Sequence, residues 1–376
     1  MTALRKTVAS AYNATLFNTD GSTHTDLFGA NGTLLLGHCN PVVVQALAEQ
    51  NQKVWITGRI NSDTRLLAFH TVEQMIPKTH FVSGFYTTGM EAAEFALRAS
   101  RILTGRKDFI GFAKSMHGKS MATAFLAWDN PSGYAIPGII RLPFPIADQA
   151  SSVLAQLDSV LSLRATAAVF LEVFQGSGGG EKADFDFCHS LTTLCKKSGT
   201  LLVVDEILTG FYRTGSLFFY SHFPLEPDII LAGKCIGNGF PVSAVLMRRG
   251  LEINSQMLPY STYAENSLAS AAVVGTLSEI VRLPIADMVN AINALIATHL
   301  STVEFSSYKV NGQGALWIVD TGNVEIAQKI ANDAYENGVL ISQAGSIIRL
   351  LPPITIELDL LEKAMTCICA TVRKNL

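Results

Sequence analysis

The sequence has no run of about 18 consecutive apolar residues, which is the length that a membrane-spanning helix needs. Its N-terminal residues also lack the uninterrupted apolar core of a secretory signal peptide. A net charge of −3 offers no strongly basic surface to nucleic acid or to an anionic membrane. We therefore expect a cytoplasmic protein that binds neither a membrane nor nucleic acid.

Motifs for two common nucleotide sites are missing as well. No GxxxxGK[ST] segment occurs, which excludes a phosphate-binding loop of that type. No G-x-G-x-x-G follows an early apolar strand, which argues against a nicotinamide enzyme. The spacing of the cysteines matches no zinc site, so we expect no metal and interpret them as buried free thiols in a reducing compartment. The six cysteines are Cys39, Cys188, Cys195, Cys235, Cys367 and Cys369.

Charged residues are scarce, at 16%, whereas hydrophobic residues make up 48%. A large subunit interface or a thick parallel sheet would account for this balance. Apolar runs that are typical of buried strands alternate with amphipathic stretches that are typical of helices. The strands are predicted at 107–114, 167–174, 201–207, 228–234 and 242–247, and the helices at 90–103 and 186–199. This alternation predicts an α/β fold with a mostly parallel sheet between two layers of helices.

The last third of the chain changes character. Residues 264–300 read as largely helical, and a strand pair (308–320), a helix (323–340), a strand (346–358) and a final helix follow. This pattern predicts a smaller α+β domain, which the short N-terminal segment is expected to join. The boundaries that we predict are 1–39 for that segment, 40–280 for a large domain and 281–376 for the C-terminal domain.

Three short segments carry residues suited to chemistry. Thr88 and Glu91 have the spacing of a helix capping box, and the first-turn N–H groups of Gly89 and Met90 could bind phosphate. By itself this segment is more typical of an ordinary capped helix. Asp205 and Glu206 end an apolar strand, where open α/β sheets place their ligands. A helix cap, an ion pair or a metal ligand are the alternatives for such acids.

Lys234 stands between an apolar run and a glycine-rich turn, 29 residues after Asp205. Apolar surroundings disfavour an ammonium ion and lower the pKa of lysine, and a neutral amine is what carbonyl chemistry needs. An ion-paired or snorkelling lysine is the alternative. Together, a phosphate cup, a carboxylate and an amine form the set that pyridoxal phosphate requires. The carboxylate would keep the pyridine nitrogen protonated, and Lys234 would hold the aldehyde as a Schiff base.

At these residues the sequence resembles a known family. The segments "VVDEILTGFYRTGSLF" and "PDIILAGKCIGNGFPVSAVL" are similar to the signature of the class III aminotransferases, which are fold-type I pyridoxal-phosphate enzymes and usually homodimers. Further similar motifs follow in the family's order, from "LGHCNP" (36–41) to "RLLPP" (349–353). The resemblance covers most of the chain and implies a three-layer large domain beside a small α+β domain built from both termini.

The resemblance also implies roles for individual residues. Lys234 and Asp205 would be catalytic, and Arg349 and Trp55 would contact substrate. The cofactor would be bound by Gly89, Met90, Met116, His117, Glu172, Asp205, Ile207, Lys234 and, from the neighbouring subunit, Thr262. Two residues depart from the family pattern: Met116 replaces an aromatic residue that usually stacks on the pyridine ring, and Glu265 is an extra acid near the inter-subunit phosphate contact.

The resemblance implies an aminotransferase that moves an amino group between an amine or ω-amino acid and a carbonyl acceptor in two half-reactions. An aminomutase of the glutamate-semialdehyde type, a racemase and a decarboxylase are alternatives with the same cofactor. A protein that has lost the chemistry and serves as a binding partner is another alternative, and the retention of Asp205 and Lys234 argues against it.

Overall fold

The computed structural model describes residues 6–128, 136–251, 253–254, 257, 261–303 and 308–375. The strands are, in chain order, β1 (Val8–Tyr12), β2 (Thr15–Asn18), β3 (Thr23–Asp26), β4 (His80–Tyr86), β5 (Asp108–Phe112), β6 (Ile139–Leu142), β7 (Thr166–Leu171), β8 (Leu201–Glu206), β9 (Ile229–Ala232), β10 (Ser243–Arg248), β11 (Lys309–Gln313), β12 (Leu316–Asp320), β13 (Val339–Leu340), β14 (Ser342–Ala344) and β15 (Ile347–Leu350).

Helices cover the two faces of the central sheet and the outside of the smaller sheets. They are α1 (Gly29–Gly32), α2 (Pro41–Asn51), α3 (Asp63–Met75), α4 (Gly89–Thr104), α5 (Met121–Phe125), α6 (Ala150–Ser162), α7 (Phe185–Ser198), α8 (Ser267–Arg282), α9 (Ile285–Ser301), α10 (Val324–Glu336) and α11 (Leu358–Lys374). α1 is a single turn whose backbone is left-handed throughout, whereas the others are right-handed helices.

The central sheet has seven strands in the order β4-β10-β9-β8-β7-β5-β6. Only β10 runs antiparallel to its neighbours, and the remaining pairings are parallel. Every residue of β7 and β8 is buried, as expected for strands covered on both faces. The predicted α/β fold with a mostly parallel sheet is confirmed. The sequence patterns did not reveal β4 and β6, and they gave no sign that β10 runs antiparallel.

Two smaller sheets lie beside the central one. One has the order β11-β12-β15-β14, and the other has the order β1-β2-β3-β13. In the second sheet β13, from the C-terminal part of the chain, pairs in parallel with β3 from the N-terminal segment. Backbone hydrogen bonds therefore join the two ends of the chain. The domain boundaries at 39 and 280 stay a prediction.

No single helix among the described residues is long and apolar enough to span a membrane. The consecutive helices α8 and α9 pass that test only as a pair, and they are bent by 80° to each other.

The cysteines are free thiols. Our expectation of burial is wrong for Cys39, which is exposed in a left-handed turn before α2, and only partly right for Cys367.

A buried arginine joins the central sheet to the chain ends. The side chain of Arg213 is fully buried, and its guanidinium donates to the carbonyl oxygens of Gly32 (3.2 Å), Ala315 (3.3 Å) and Pro352 (2.6 Å). These three carbonyls belong to segments that are far apart in sequence. These hydrogen bonds fix the mutual position of three segments, although the Nε of Arg213 has no hydrogen-bond partner among the described residues.

We expect Arg213→Met to lower the free energy of unfolding by about 3 kcal/mol, because it leaves buried carbonyl oxygens without donors. The midpoint of urea denaturation measures this loss. The matched control is Arg98→Met, since Arg98 is exposed on α4 and should leave the midpoint unchanged. Equal midpoints for the two variants would contradict the structural role of Arg213.

Candidate active site

The candidate residues meet at the carboxyl edge of the central sheet. Asp205 lies at the end of β8, Lys234 follows β9 after one glycine, and Gly89 begins the helix that follows β4. These strand ends surround a cavity of about 410 Å³. Its walls are formed by residues 87–90, 116–119 and 239–242 together with Thr33, Ile207 and Lys234. This is the position at which open parallel sheets bind their ligands.

Asp205 is held by a histidine and a backbone amide. Its Oδ2 lies 2.8 Å from Nδ1 of His117, and its Oδ1 accepts a hydrogen bond of 3.0 Å from the N–H of Ile207. Both Asp205 and His117 are buried. The other ring nitrogen of His117, Nε2, has no hydrogen-bond partner among the described residues. The pair therefore fixes the direction of the Asp205 carboxylate. His117 lines the cavity, whereas Asp205 lies behind it and does not.

Glu206, the neighbouring acid, points to the other side of the strand. Its carboxylate accepts hydrogen bonds from the N–H groups of Phe219 (3.1 Å) and Tyr220 (2.6 Å) and from the hydroxyl of Thr209 (2.5 Å). Burial raises the pKa of Glu206 to about 7, against these hydrogen bonds. The two adjacent acids therefore serve different segments, as expected for consecutive residues of a strand.

Glu172 lies just after β7 and is buried behind the cavity. Its carboxylate accepts hydrogen bonds of 3.0 Å from the N–H groups of Met116 and Gly176. Burial raises the pKa of Glu172 to about 7, and the negative charge of Asp205 adds to the effect.

Lys234 has an unusual backbone conformation as well as an unusual environment. Its φ of 41° lies in the left-handed region, which costs a non-glycine residue on the order of 1 kcal/mol. Burial lowers the pKa of the Lys234 amine, while the charges of Asp205 and Glu172 act in the opposite direction. Lys234 lines the cavity. A lysine whose pKa is lowered by burial is therefore next to the space that a ligand would occupy.

The helix start at which we predict a phosphate cup differs from a capping box in one contact. The hydroxyl of Thr88 accepts from the N–H of Glu91 at 3.1 Å, as in a capping box. The Glu91 carboxylate, however, accepts from the N–H (2.9 Å) and hydroxyl (2.5 Å) of Thr87, one residue before the predicted partner. The first-turn N–H groups of α4 have no partner within a helix, because a helix leaves its first four donors unused.

Ile207 forms the floor of this cup. A Cβ atom added to Gly89 would lie only 2.6 Å from Cδ1 of Ile207, so only glycine fits at the start of α4. A Cβ on Gly233 would also approach Ile207, at 3.3 Å. The aliphatic side chain therefore packs between the helix start and the residue that precedes Lys234, where it faces the cavity.

Arg349 projects from β15, in one of the smaller sheets, towards the same region. It is buried, and its guanidinium donates to the Oδ1 of Asn31 (2.9 Å), to the hydroxyl of Ser342 (2.9 Å) and, at 3.4 Å, to Ser177 Oγ and the Gly176 carbonyl. All these partners are neutral. The charge of Glu172 acts on Arg349, and the charge of Arg349 acts on Lys234.

Three further predicted site residues are Met116, which departs from the family pattern, and Thr262 and Trp55, which lie outside the cavity lining. Met116 lines the cavity, and its backbone N–H binds Glu172, so a thioether stands where an aromatic ring was expected from the family pattern. Thr262 is exposed and does not line the cavity of its own chain. Trp55 is also exposed, with 58% of its surface accessible, and lies outside that lining.

The sequence patterns missed two contributors to the site. Residues 239–242 form one wall of the cavity, and the glycines that follow Lys234 were the available signal for them. Asn31 holds the guanidinium of Arg349 from the left-handed turn α1, in which residues 29–32 all have positive φ. Gly29 and Gly32 adopt positive φ readily, but the run was not predicted because Ala30 between them is disfavoured there by its own sterics.

Comparison with known proteins agrees with this geometry. The profile of the family "Aminotransferase class-III" matches residues 2–372. The chain belongs to the class III aminotransferases. Its cofactor is accordingly pyridoxal phosphate, and it is an enzyme that transfers amino groups.

Several characterised proteins are similar to this class III aminotransferase over nearly its whole length. A 2-aminoadipate transaminase of Pseudomonas putida is 31% identical, covering 96% of this chain and 94% of that one. An acetylornithine aminotransferase of Listeria monocytogenes is also 31% identical, over 95% of this chain and 92% of its own. The ornithine aminotransferase of Toxoplasma gondii, whose structure has partial occupancy of pyridoxal phosphate, superposes with a TM-score of 0.87 at 25% identity, covering 98% and 90% of the two chains.

We expect the buried Glu172 to make stability depend on pH. Its pKa is about 7 in the folded protein, compared with 4.5 for a free glutamate side chain, so between these values the folded state keeps a proton that the unfolded state has released. The free energy of unfolding therefore falls as pH rises through this window. In Glu172→Gln the slope of the urea midpoint against pH should be shallower than in the wild type, with the cofactor removed.

The matched control for this measurement is Glu362→Gln, because Glu362 is exposed on α11. It should reproduce the wild-type slope. A slope in Glu172→Gln that equals the wild-type slope between about pH 4.5 and pH 7 would show that Glu172 ionises normally in the fold.

Proposed function

We propose that Lys234 is the catalytic base and the covalent anchor of the cofactor in this aminotransferase. The observation that carries the proposal is a lysine with a lowered pKa at the wall of a cavity that is also lined by His117, the partner of Asp205. When bound, pyridoxal phosphate supplies a carbonyl group for attachment of amines and a ring that accepts electrons. The neutral Nζ of Lys234 can accept the proton of the substrate carbon that bears the amino group, and can return it later in the reaction.

The other cavity residues have supporting roles in this proposal. Asp205, oriented by His117, would face the pyridine nitrogen and favour its protonated form. The first turn of α4 at Gly89 and Met90 would bind the phosphate, because helix N-termini favour anions. Ile207 and Met116 would pack on the ring. Ile207 packs directly against Gly89, so the start of α4 and this aliphatic side chain would contact the cofactor side by side.

We further propose that Arg349 binds a carboxylate of the substrate. Among the described residues its hydrogen-bond partners are all neutral, so its buried positive charge is not balanced by a directly bound acid. A substrate carboxylate would supply that balance through charge-assisted hydrogen bonds. The relatives named above act, by their names, on 2-aminoadipate, acetylornithine and ornithine, all of which carry a carboxylate. The amino donor is thus an amino acid, and the acceptor is a carbonyl compound.

We also propose that the active unit is a homodimer with both sites at the subunit interface. Thr262 is exposed and lies outside its own cavity, so it could reach cofactor phosphate only in a second copy. Large apolar side chains are exposed on neighbouring segments, and a protein buries such groups where it can. They are Trp55, Ile60, Met121 and Tyr263. A location in the cytoplasm stays a prediction.

Replacing Lys234 tests the central assignment. Lys234→Ala should lose the visible absorption band of lysine-bound pyridoxal phosphate and should lower the rate of amino transfer by about a thousandfold or more, because base and anchor are both removed. Spectra of the purified protein with added pyridoxal phosphate, together with single-turnover kinetics, measure these effects.

A suitable control is Lys182→Ala. Lys182 also has a pKa lowered by burial, but it packs on the rings of Phe174 and Phe219 outside the cavity. This variant should keep both the band and the activity. A wild-type band in Lys234→Ala would show that another amine holds the cofactor.

Replacing Arg349 tests the substrate assignment. In Arg349→Gln the KM for donors with a carboxylate should rise by about tenfold to a hundredfold, because charged hydrogen bonds of this kind contribute about 1.5–3 kcal/mol. Monoamines and diamines without a carboxylate serve as the internal control, and their KM should change little. An equal rise for both donor classes would contradict carboxylate binding by Arg349.

Omitting the carbonyl acceptor should stop the turnover of an aminotransferase, whereas an aminomutase would continue to convert its substrate.

A further inference from the structure

An ion pair lies beneath the segment that carries Thr262. Glu265 has a φ of 58°, in the left-handed region that suits glycine rather than glutamate. Its carboxylate pairs with the guanidinium of Arg65, and the two side chains are only 12% and 14% exposed. The acid therefore combines backbone strain with the burial of charge, and neither is favourable without compensation.

Arg65 connects this acid to a second loop. It belongs to α3, and its Nη1 donates to the carbonyl of Gly58 at 3.4 Å. The backbone N–H of Glu265 donates to the carbonyl of Phe85, at the end of β4, at 3.1 Å. Beneath it, Gly84 leaves the space that the carboxylate fills, because a Cβ at that position would lie 3.0 Å from Oε1 of Glu265. The pair thus fixes residue 265 against both the central sheet and α3.

The other end of the segment is fixed at the phosphate cup. The Glu91 carboxylate accepts a hydrogen bond from the side chain of Ser261 as well as from Thr87. Ser261 and Glu265 are therefore both held to the body of the chain. Thr262, between them, is exposed. Because the segment is held at both ends, the side chain of Thr262 points in a fixed direction. An exposed threonine that binds a ligand needs such a fixed direction.

We propose that Arg65 and Glu265 form a positioning pair that holds the 261–265 segment so that Thr262 can bind the cofactor phosphate of a second copy of this chain. The inference rests on the proposed role of Thr262. Neither Arg65 nor Glu265 lines the cavity, so their action passes through the position of the segment. A buried ion pair gives little net stability compared with well-packed apolar side chains, whereas it does restrict the geometry of the groups that it joins.

The test measures the affinity of the cofactor-free protein for pyridoxal phosphate. The fluorescence of the protein is recorded while the cofactor is titrated. The dissociation constant should rise by tenfold or more in Arg65→Met and in Glu265→Gln. The double variant should be no weaker than the weaker single variant, because both substitutions remove the same interaction. Thr262→Ala should also weaken binding, and adding Glu265→Gln to Thr262→Ala should cause no further loss. Sedimentation of each protein checks that the assembly is unchanged.

The outcomes separate this inference from the proposed function. Unchanged affinity in Glu265→Gln with weakened affinity in Thr262→Ala would overturn the inference and leave the role of Thr262 intact. Unchanged affinity in Thr262→Ala would overturn that role, and the inference with it. Independent losses that add in the combined variant would also overturn the inference, because the pair would then act by another route.

Two further variants guard against a general loss of folding. Glu265→Gly suits the left-handed backbone and removes the carboxylate, so it should fold and yet bind the cofactor less tightly. Wild-type affinity in this variant would overturn the proposal. Arg248→Gln removes the partner of Asp228 at a distant ion pair and should leave the affinity unchanged.

Discussion

The hydrogen bond between Asp205 and His117 is the interaction on which the site depends. It lets a carboxylate remain at a buried sheet edge, next to the apolar strand that leads to it. The charge of that carboxylate acts in turn on Lys234 and on Glu172, so it raises the pKa of one acid and opposes the loss of a proton from the lysine. The balance of these charges, in a region that excludes water, decides how easily Lys234 gives up its proton.

Contacts between distant parts of the chain complete the site. Arg349 comes from β15 and is held by Asn31, and Arg213 ties the segments around Gly32 and Pro352 to the loop after β8. Asn31 and Gly32 of the left-handed turn α1 take part in these contacts, which help to retain its backbone. The smaller sheets therefore do more than pack, since they place a cation beside the carboxyl edge of the central sheet.

Much of the fold could be predicted because its strands are buried on both faces. Continuous apolar runs identified β5, β7, β8, β9 and β10, and the alternation with helices gave the α/β class. β4 was missed because its burial alternates only in part, and β6 because it is short and half-buried. Glu91 was identified as a capping residue, yet its carboxylate accepts hydrogen bonds from Thr87 and not from Thr88. Sequence spacing shows which residues lie close to Glu91, but it does not show which of their donors is available.

By itself the sequence determined the class of fold, the family, the cofactor and the chemical groups on successive strand ends, because all of these follow from local patterns and from a set of motifs. The tertiary structure decided which groups meet. Asp205 with His117, Arg349 with Asn31 and Arg65 with Glu265 are joined across 88, 318 and 200 positions. Such pairs depend on the direction of side chains and on burial, and both are set only when the sheets and helices have packed together.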